Sequence, residues 1–438
     1  MYWIVVPVII PYRSWYTGDM HIYFCGIGGV GIGPLAEIAL DAGYQVTGSD
    51  MAASRTTEEL EQRGIRVSFD QSGENLRSIH QSQPIDWFVY TASLPPDHPE
   101  LVLAGQLGMR VAKRDELLNQ IITDKKLRLI AVAGTHGKTT TTAMLVWAFQ
   151  QLGIPVSYSV GSTLSFGPAG KFDPDSEYFI YECDEFDRNF LHFSPYVSVI
   201  TSTDYDHPDT YPTQREYSDA FSQFISQSGH AILWERDTVI DIRVPASAWR
   251  LQDSEVMELG LHGLHNRANA TLVAKAFEYI HTGTPELVQS ALNTFPGSGR
   301  RFEKLADNLY SDYGHHPAEI AATLQMAREL SDHVVLVYQP HQNTRQHQVR
   351  SHYVSCAELA ETIYWLPTYQ TREDPTLAIL TPEELTAGLK NRDVVRFANM
   401  DDQLWANIQA ERAAGKLVLC MGAGTIDGWV RQQLKNAA

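Results

Sequence analysis

The sequence is poor in cysteine, and its cysteines are far apart. Among 438 residues there are 4, at Cys25, Cys183, Cys356 and Cys420. Four cysteines in a chain of this length exclude a small scaffold held together by disulfides. None of them forms the Cys-x-x-Cys pair that is typical of a zinc motif. Those at positions 25, 183 and 420 lie in apolar, strand-like runs, which favours buried, reduced thiols in a cytoplasmic protein.

Positive charge is also scarce. The chain has 34 Lys and Arg against 52 Asp and Glu, a formal net charge of −18. This charge argues against non-specific binding to nucleic acid and to anionic membrane surfaces, because both repel an acidic protein. An anionic substrate would need local positive charge, so single Lys and Arg residues within motifs gain weight.

No apolar run is long enough to cross a bilayer. The most apolar one, MYWIVVPVII, has ten residues, and a transmembrane helix needs about 20. No positive segment precedes it and no small-residue cleavage site follows it, which disfavours a secretory signal. We expect residues 1–19 to be an N-terminal extension, and we expect no insertion into a membrane.

Strand-like and helix-like patterns alternate along the chain, which is typical of α/β proteins with mostly parallel sheets. The length predicts about two to four domains, and the pattern divides into three. We expect a Rossmann-like domain over 20–123, a central P-loop domain over 124–298 and a second Rossmann-like domain over 299–438. Thr123 to Lys126 is the expected first linker, and the turn-rich Pro296 to Gly299 marks the second boundary.

The most informative segment reads LRLIAVAGTHGKTTTTAM, from Leu127 to Met144. A β-prone run ends in a glycine-rich turn, and an apolar helix pattern follows. Backbone N–H groups at such a helix start bind the phosphates of ATP or GTP, and a lysine reaches the β- and γ-phosphates. Lys138 is the predicted lysine, and Thr139 is expected to face Mg²⁺. The predicted loop residues are Gly134, Thr135, His136, Gly137, Lys138, Thr139 and Thr140.

A second glycine-rich turn lies in the first predicted domain. Residues 26–31 read GIGGVG, between a strand pattern and a helix pattern, and Asp50 ends the next strand. The arrangement is typical of pyrophosphate bound at a helix N-terminus, in a dinucleotide or in a UDP-sugar. The structural alternative is that the glycines serve tight packing of strand against helix.

Acidic and histidine residues follow two later strand patterns, in ECDEFD (182–187) and TDYDHPDTY (203–211). Carboxylates beside a phosphate loop suit Mg²⁺ coordination. A histidine flanked by aspartates can bind a metal or orient a phosphoryl group. Glu182 and His207 are therefore candidate metal ligands, and a solvated acidic turn with a structural histidine is the alternative.

The last candidates lie downstream. In HGLHNRAN (262–269) a helix opens, where Asn266 either contacts a nucleotide base or caps the helix. Arg300 and Arg301 could reach a phosphate across a cleft. SDYGHHPAE (311–319) and QPHQNTR (339–345) end two strand patterns, where ligands bind in open α/β sheets. They supply the substrate-site candidates His315, His316, His341 and Arg345.

Together these segments resemble the Mur ligases. The resemblance covers nearly the whole chain from Met20, and the nucleotide loop and DYGHHP are its most specific parts. The segments that carry it are GIGGVG (26–31), AVAGTHGKTTTTAM (131–144), ECDEFD (182–187), DHPDTY (206–211), HNRANA (265–270), RRF (300–302), SDYGHHPAEI (311–320), QPH (339–341) and MGAG (421–424).

The resemblance implies a UDP-substrate domain, an ATPase domain and an amino-acid-binding domain. It also implies a ligase that phosphorylates the lactyl carboxylate of UDP-N-acetylmuramate with ATP and then joins L-alanine to the acyl phosphate, in peptidoglycan precursor synthesis. Phosphorylation before amide formation is chemically sensible, because a carboxylate is a poor acyl donor until one of its oxygens carries a phosphoryl group. ATP and Mg²⁺ (or Mn²⁺) are implied as cofactors.

Residue roles follow from the same matching. The implied catalytic residues are Lys138, His207 and Arg301, and the implied metal ligands are Thr139, Glu182 and His207. ATP is expected to contact the loop residues together with Asn266, Arg301, Asp312 and Tyr313. The UDP-substrate is expected to contact Gly28, Gly29, Val30, Gly31, Asp50 and Ser93. The amino acid is expected to contact His316, His341 and Arg345.

The chain departs from the family pattern in places. Phe69-Asp70 stands where a Gly-His pair is usual, and Gln342 stands where an arginine usually follows QPH, which leaves Arg345 to read the amino acid's carboxylate. Residues 342–344 are also similar to a related ligase that attaches a whole tripeptide to the same sugar nucleotide. No lysine occurs between Lys171 and Lys275, so a carbamylated lysine bridging metal is not expected.

Three other functions stay open from the sequence. One is that tripeptide ligase. Another is an NAD-dependent oxidoreductase built on Gly26 to Asp50, against which the triphosphate loop argues. The third is a nucleotide-binding scaffold without catalysis. We expect a monomer or a weak homodimer.

Overall fold

The computed structural model describes residues 20–29, 31–91, 94–207, 210–239, 241–371 and 373–437. They form three mainly parallel sheets in an α/β architecture. By contacts the chain divides into two compact units. The first contains the described residues up to Lys125 together with 171–174, and the second contains 126–170 and the remainder from Asp175. The predicted extension, residues 1–19, lies outside the described residues.

The first unit contains a five-stranded parallel sheet in the order β3-β2-β1-β4-β5. Its strands are β1 (His21–Cys25), β2 (Gln45–Ser49), β3 (Arg66–Ser68), β4 (Trp87–Tyr90) and β5 (Arg110–Lys113). Its helices are α1 (Gly33–Asp41), α2 (Arg55–Gln62), α3 (Glu74–Ser82), α4 (Pro99–Gln106) and α5 (Arg114–Asp124). The strand order reverses between β1 and β4, and ligands bind at such a switch point in Rossmann-like sheets.

Specific side chains define helix ends in this unit. Ser54 caps α2, since its side chain accepts a hydrogen bond from the Thr57 N–H. The predicted linker is wrong in its first half, because Thr123 and Asp124 form the last turn of α5. The helix continues there because its apolar residues up to Ile122 are buried against the sheet.

The second unit begins with a seven-stranded sheet in the order β12-β11-β10-β6-β9-β7-β8. Its strands are β6 (Arg128–Ala133), β7 (Ser157–Ser159), β8 (Gly170–Lys171), β9 (Tyr178–Glu182), β10 (Val197–Ile200), β11 (Ala231–Trp234) and β12 (Trp249–Leu251). Its helices are α6 (Lys138–Gln151), α7 (Gln214–Gln227), α8 (Leu264–Tyr279) and α9 (Pro285–Asn293). Because β6 runs parallel to β9 and β10 on either side, the loops after these three strands meet at one edge.

The third sheet has the order β13-β14-β18-β15-β16-β17, and its pairs are parallel except β13 with β14. Its strands are β13 (Glu303–Ala306), β14 (Leu309–Asp312), β15 (Val334–Tyr338), β16 (Thr362–Trp365), β17 (Val395–Phe397) and β18 (Leu417–Met421). Its helices are α10 (Pro317–Arg328), α11 (Asn343–Val349), α12 (Pro382–Thr386), α13 (Asp402–Ala413) and α14 (Ile426–Ala437). Short 3₁₀ helices occur at Phe186–His192, Glu235–Val239, Asp253–Glu255, Arg350–His352 and Arg392–Val394.

The central strands of all three sheets are covered on both faces. Every residue of β1, β10, β15 and β18 is buried, which is expected where helices cover both sides of a parallel sheet. All four cysteines are buried, as predicted for Cys25, Cys183 and Cys420. Among the described helices, none combines the length and the apolar content that crossing a membrane requires.

Candidate functional site

The predicted nucleotide loop joins β6 to α6. Its glycines Gly134 and Gly137 have positive φ angles, +133° and +83°. A Cβ atom at Gly134 would lie 2.4 Å from Thr201 Oγ1, and one at Gly137 would lie 2.9 Å from Asn269 Oδ1. Sterics and backbone conformation therefore both require glycine there. No side chain among the described residues caps α6 at Gly137, so the N–H groups of its first turn can bind an anion.

Lys138 is held by carboxylate and carbonyl oxygens. Its Nζ donates to the two carboxylate oxygens of Glu185, at 2.8 and 3.0 Å, and to the Gly134 carbonyl at 2.6 Å. Burial by itself would lower the pKa of Lys138, but the charges of Glu185 and Asp184 raise it above its ordinary value. Glu185 is fully buried. Lys138 is therefore a cation, positioned beside the loop by a buried anion.

Two groups of possible metal ligands lie around this lysine. Thr139 Oγ1 donates to Glu182 at 2.7 Å, so these two predicted ligands are in contact. The second group contains His207, Asp184 and Glu185. One possible ligand atom of each residue lies within 4.8 Å of those of the other two. Carboxylate oxygens with one imidazole suit Mg²⁺ or Mn²⁺. The residues present therefore fit a divalent cation.

The loop also contacts the third sheet's first helix. His136 Nδ1 lies 3.3 Å from Glu319 Oε1, and Glu319 accepts hydrogen bonds from the backbone N–H groups of His315 and His316, at 2.8 and 3.0 Å. Burial would raise the pKa of Glu319, but His315 and His136 hold it well below the ordinary value. Glu319 thus connects the nucleotide loop to the start of α10.

Arg345 forms a second connection. Its guanidinium lies 3.4 Å from Asp206 Oδ1, and their side chains are only 14% and 13% exposed. It also forms a hydrogen bond with His315 Nε2. Burial lowers the pKa of His315 to about 4, which keeps the imidazole neutral and able to accept that bond. Burial opposes ionisation of Asp206, yet Arg345 and His207 lower its pKa to about 2.

The other two residues predicted to contact the amino acid, His316 and His341, lie near Arg345 and His315. His316 is the N-cap of α10, and its ring centroid is 4.9 Å from that of His136. The ring centroid of His341 lies 5.8 Å from that of His315 and 5.6 Å from that of Tyr369. The structure therefore brings His316, His341 and Arg345 around His315.

A cavity of about 1320 Å³ opens beside the loop. Its walls contain many of the predicted nucleotide contacts, namely His136, Gly137, Thr140, Asn266, Arg301 and Asp312. Tyr313 supports the cavity wall, because the Cζ atoms of Arg300 and Arg301 lie 4.6 and 5.2 Å from its ring centroid. Burial raises the pKa of Asp312 to about 6.

Asn266 does not cap α8, because the N-cap is Gly263 and Asn266 Nδ2 donates to the His262 carbonyl. The capping alternative for Asn266 is thus wrong, and its side chain lies at the cavity wall. Thr135 Oγ1 contacts the Asp204 carbonyl and the Tyr217 hydroxyl at 2.5 and 2.7 Å, which ties the loop to the end of β10.

The second glycine-rich turn lies in the first unit, between β1 and α1. Gly28 N–H donates to Asp50 Oδ2 at 2.7 Å, so Asp50 fixes the turn itself. A Cβ atom at Gly31 would lie 2.7 Å from Arg114 Nη1, which places a guanidinium beside the turn. Gly29 N–H closes the turn onto the Gly26 carbonyl. Val30 and Ser93 lie outside the described residues.

Several charged residues near the two glycine-rich turns were not predicted from the sequence. Asp184 and Glu185 stood in the quoted ECDEFD segment, but only Glu182 was chosen from it. Glu319 was visible three residues after His316, in the spacing of a capping box. Arg114 carried no local signal, because only the fold brings α5 to the glycine turn.

Family models match most of the chain. The model of the Mur ligase family catalytic domain matches residues 21–126, that of the Mur ligase middle domain matches 132–279, and that of the Mur ligase glutamate ligase domain matches 300–424. The chain belongs to the Mur ligase family. Membership makes it an ATP-dependent ligase that forms amide bonds, and the oxidoreductase alternative is wrong.

Individual relatives align with this chain over nearly the full length of both proteins. A UDP-N-acetylmuramate–L-alanine ligase of Clostridium perfringens is 30% identical over 93% of this chain and 96% of the relative. A ligase of the same name from Nocardioides sp. is 32% identical over 93% of this chain and 94% of the relative. The crystal structure of the Thermotoga maritima UDP-N-acetylmuramate-alanine ligase shares the fold, with a TM-score of 0.73 at 23% identity over 95% of this chain and 99% of that one.

A murein peptide ligase of Psychrobacter arcticus also shares the fold. Its TM-score is 0.61 at 22% identity, over 95% of this chain and 98% of that one. At this identity the likeness concerns the fold alone, and it does not distinguish between amine substrates.

Proposed function

We propose that this Mur ligase joins L-alanine to the lactyl carboxylate of UDP-N-acetylmuramate at the expense of ATP, in peptidoglycan precursor synthesis. The observation that carries the proposal is the meeting of Lys138, Glu185 and His207, which follow β6, β9 and β10, beside a cavity of about 1320 Å³. The substrates are those named for relatives that align over 93% of the chain.

The nucleotide would lie in the cavity with its phosphates at the start of α6. Lys138 would then exchange its hydrogen bonds to Glu185 for phosphate oxygens. Arg301, at the cavity wall, would add a second positive charge to the transferring phosphoryl group. Fixed charges of this kind lower the barrier because they are already oriented when negative charge develops.

One divalent cation would be held by Thr139 and Glu182, and a second by His207 together with Asp184 and Glu185. When bound, such an ion neutralises phosphate charge and orients the phosphoryl group. Mg²⁺ suits the oxygen donors, and Mn²⁺ also accepts the imidazole.

The amine would be positioned by the residues around His315. Arg345 would read the amino acid's carboxylate, and its ion pair with Asp206 fixes the guanidinium at the edge where β10 ends. His316 and His341 would line the same place. In the first unit, the Gly26 to Gly31 turn, which Asp50 holds in place, would bind the pyrophosphate of the UDP-sugar beside Arg114.

The test is phosphate release with UDP-N-acetylmuramate, ATP and Mg²⁺. We expect release with L-alanine, and weaker release with glycine or L-serine. Release only with a tripeptide would replace the proposal by the tripeptide ligase. The Lys138→Ala variant should release no phosphate, and product formation by that variant would contradict the assigned role of Lys138.

We also propose a cytoplasmic protein, a monomer or weak homodimer, whose substrate domains correspond to residues 20–123, 124–298 and 299–438. Light scattering at several protein concentrations measures the oligomeric state. A mass that stays at the tetramer value on dilution would contradict it.

A further inference from the structure

One cluster of metal-binding side chains in the first unit has no part in the proposed reaction. Cys25 is the last residue of β1, His98 is the N-cap of α4, and Glu100 lies in the first turn of that helix. One ligand atom from each lies within 4.8 Å of the other two. Cys25 is far from His98 and Glu100 in the sequence, and only the folded sheet brings its thiol to the start of α4.

The cluster is buried, and one of its atoms lacks a partner. Cys25 and Glu100 are both 0% exposed. The Nδ1 atom of His98 is buried and makes no hydrogen bond with any of the residues that the structure describes. A buried polar atom without a partner is unfavourable, and such atoms in native proteins often mark a bound ion or water. His98 therefore offers a free ligand atom at this place.

The neighbouring side chains orient the carboxylate and the thiol. The Tyr23 hydroxyl donates to Glu100 Oε1 at 2.7 Å, and the Ser49 hydroxyl donates to Oε2 at 2.5 Å. Gln71 Nε2 lies 3.7 Å from Cys25 Sγ. Hydrogen bonds of this kind fix ligand orientation around protein metal sites. Each carboxylate oxygen keeps a second lone pair, so both bonds can persist when a metal binds.

The donor set selects the kind of ion. Sulfur, imidazole nitrogen and carboxylate oxygen are the ligands of Zn²⁺, and thiolate in particular excludes Mg²⁺ and Ca²⁺ as preferred occupants. A thiolate and a carboxylate together carry two negative charges, which balance the charge of a divalent cation. On binding, the Cys25 thiol would lose its proton to solvent as the S–metal bond forms.

We propose that Cys25, His98 and Glu100 bind one Zn²⁺-type divalent cation, which joins the end of β1 to the start of α4. Three protein ligands leave a fourth tetrahedral position for water. This site is independent of the proposed ligase reaction and of the cluster around His207, which holds no cysteine.

Cobalt spectroscopy of the full chain tests the proposal. The protein is freed of metal with a chelator, saturated with Mg²⁺ to occupy the His207 cluster, and titrated with Co²⁺. We expect a thiolate-to-cobalt charge-transfer band that saturates at one equivalent, with the visible bands of tetrahedral Co²⁺. Zn²⁺ should then displace the cobalt and abolish both.

Variants locate the site. Cys25→Ser should lose the charge-transfer band, and Cys356→Ser, which changes a buried cysteine of the third sheet's domain, should keep it. His98→Asn leaves the buried thiol in place and should weaken Co²⁺ binding about tenfold or more, as loss of a metal-site partner does. Absence of the band in the unaltered protein, its survival in Cys25→Ser, or unchanged affinity in His98→Asn would each overturn the proposal.

Discussion

At the residue scale, the nucleotide loop depends on one buried ion pair. Lys138 and Glu185 lie 2.8 Å apart, and the Glu185 side chain is 0% exposed. Removing one partner of a buried pair leaves a charge without compensation, which costs far more than losing an exposed pair.

We predict that Glu185→Gln lowers the free energy of unfolding by about 3 kcal/mol or more and reduces ATP-dependent phosphate release about 100-fold. Urea unfolding and phosphate release measure the two effects. The control is Glu177→Gln, which breaks an exposed pair with Arg128 near the start of β9 and should cost less than about 1 kcal/mol. An equal loss of unfolding free energy in the two variants would contradict the prediction that the buried Lys138–Glu185 pair is the more important one.

The second residue-scale prediction concerns Gly137. Gly137→Ala places a Cβ 2.9 Å from Asn269 Oδ1 at a φ of +83°, so both strain and a clash arise. We expect a loss of about 2–3 kcal/mol, within the range for strained backbone. Gly153→Ala is the matched control, because Gly153 has a φ of +68° with nothing within 4 Å. It should cost only about 1 kcal/mol, and a cost as large as that of Gly137→Ala would exclude the clash.

At the scale of secondary-structure elements, the start of α10 does more than begin a helix. Glu319 is the N3 residue of its capping box, and the same carboxylate accepts from His136 in the nucleotide loop. Its pKa lies well below the ordinary value in the folded protein. This ionised form therefore stabilises the fold above the unfolded pKa, and the stabilisation is lost as pH falls through the folded pKa.

We predict that Glu319→Gln costs about 2 kcal/mol at pH 7, as expected for hydrogen bonds to a charged group. The difference between the two proteins should shrink as pH falls below the unfolded pKa of about 4.3. Unfolding measured across this range checks the sign. Glu384→Gln is the control, since Glu384 occupies the same position in the exposed capping box of α12. A cost that grows towards acid pH would contradict the assignment.

At the scale of the whole molecule, the predicted ATP contacts all belong to the second unit. A ligand that binds only the folded state stabilises it by mass action. We predict that Mg²⁺-ATP at 100 times its dissociation constant raises the free energy of unfolding by about 2.7 kcal/mol. At that same ligand concentration Lys138→Ala should gain much less. Equal gains in both proteins would place the nucleotide elsewhere.

The overall architecture followed from local patterns. Alternating strands and helices predicted the α/β class, and β6, β9 and β10 lie where their apolar runs indicated. The glycine-rich loop was predictable because its chemistry is contiguous, from Gly134 to Thr140. The predicted linker was wrong at Thr123 and Asp124, because a polar stretch can still continue a helix whose other face is buried.

The sequence by itself determined the family, the triphosphate loop and the residue types that surround it, since each of these lies within one short segment. Only the tertiary structure decided which side chains meet. His136 and Glu319 are 183 residues apart, and no local pattern encodes their contact. The grouping of Cys25 with His98 and Glu100 likewise follows from the placement of β1 beside β4. Strand order is set by packing of the whole sheet, so contacts between strand ends appear only once the chain has folded.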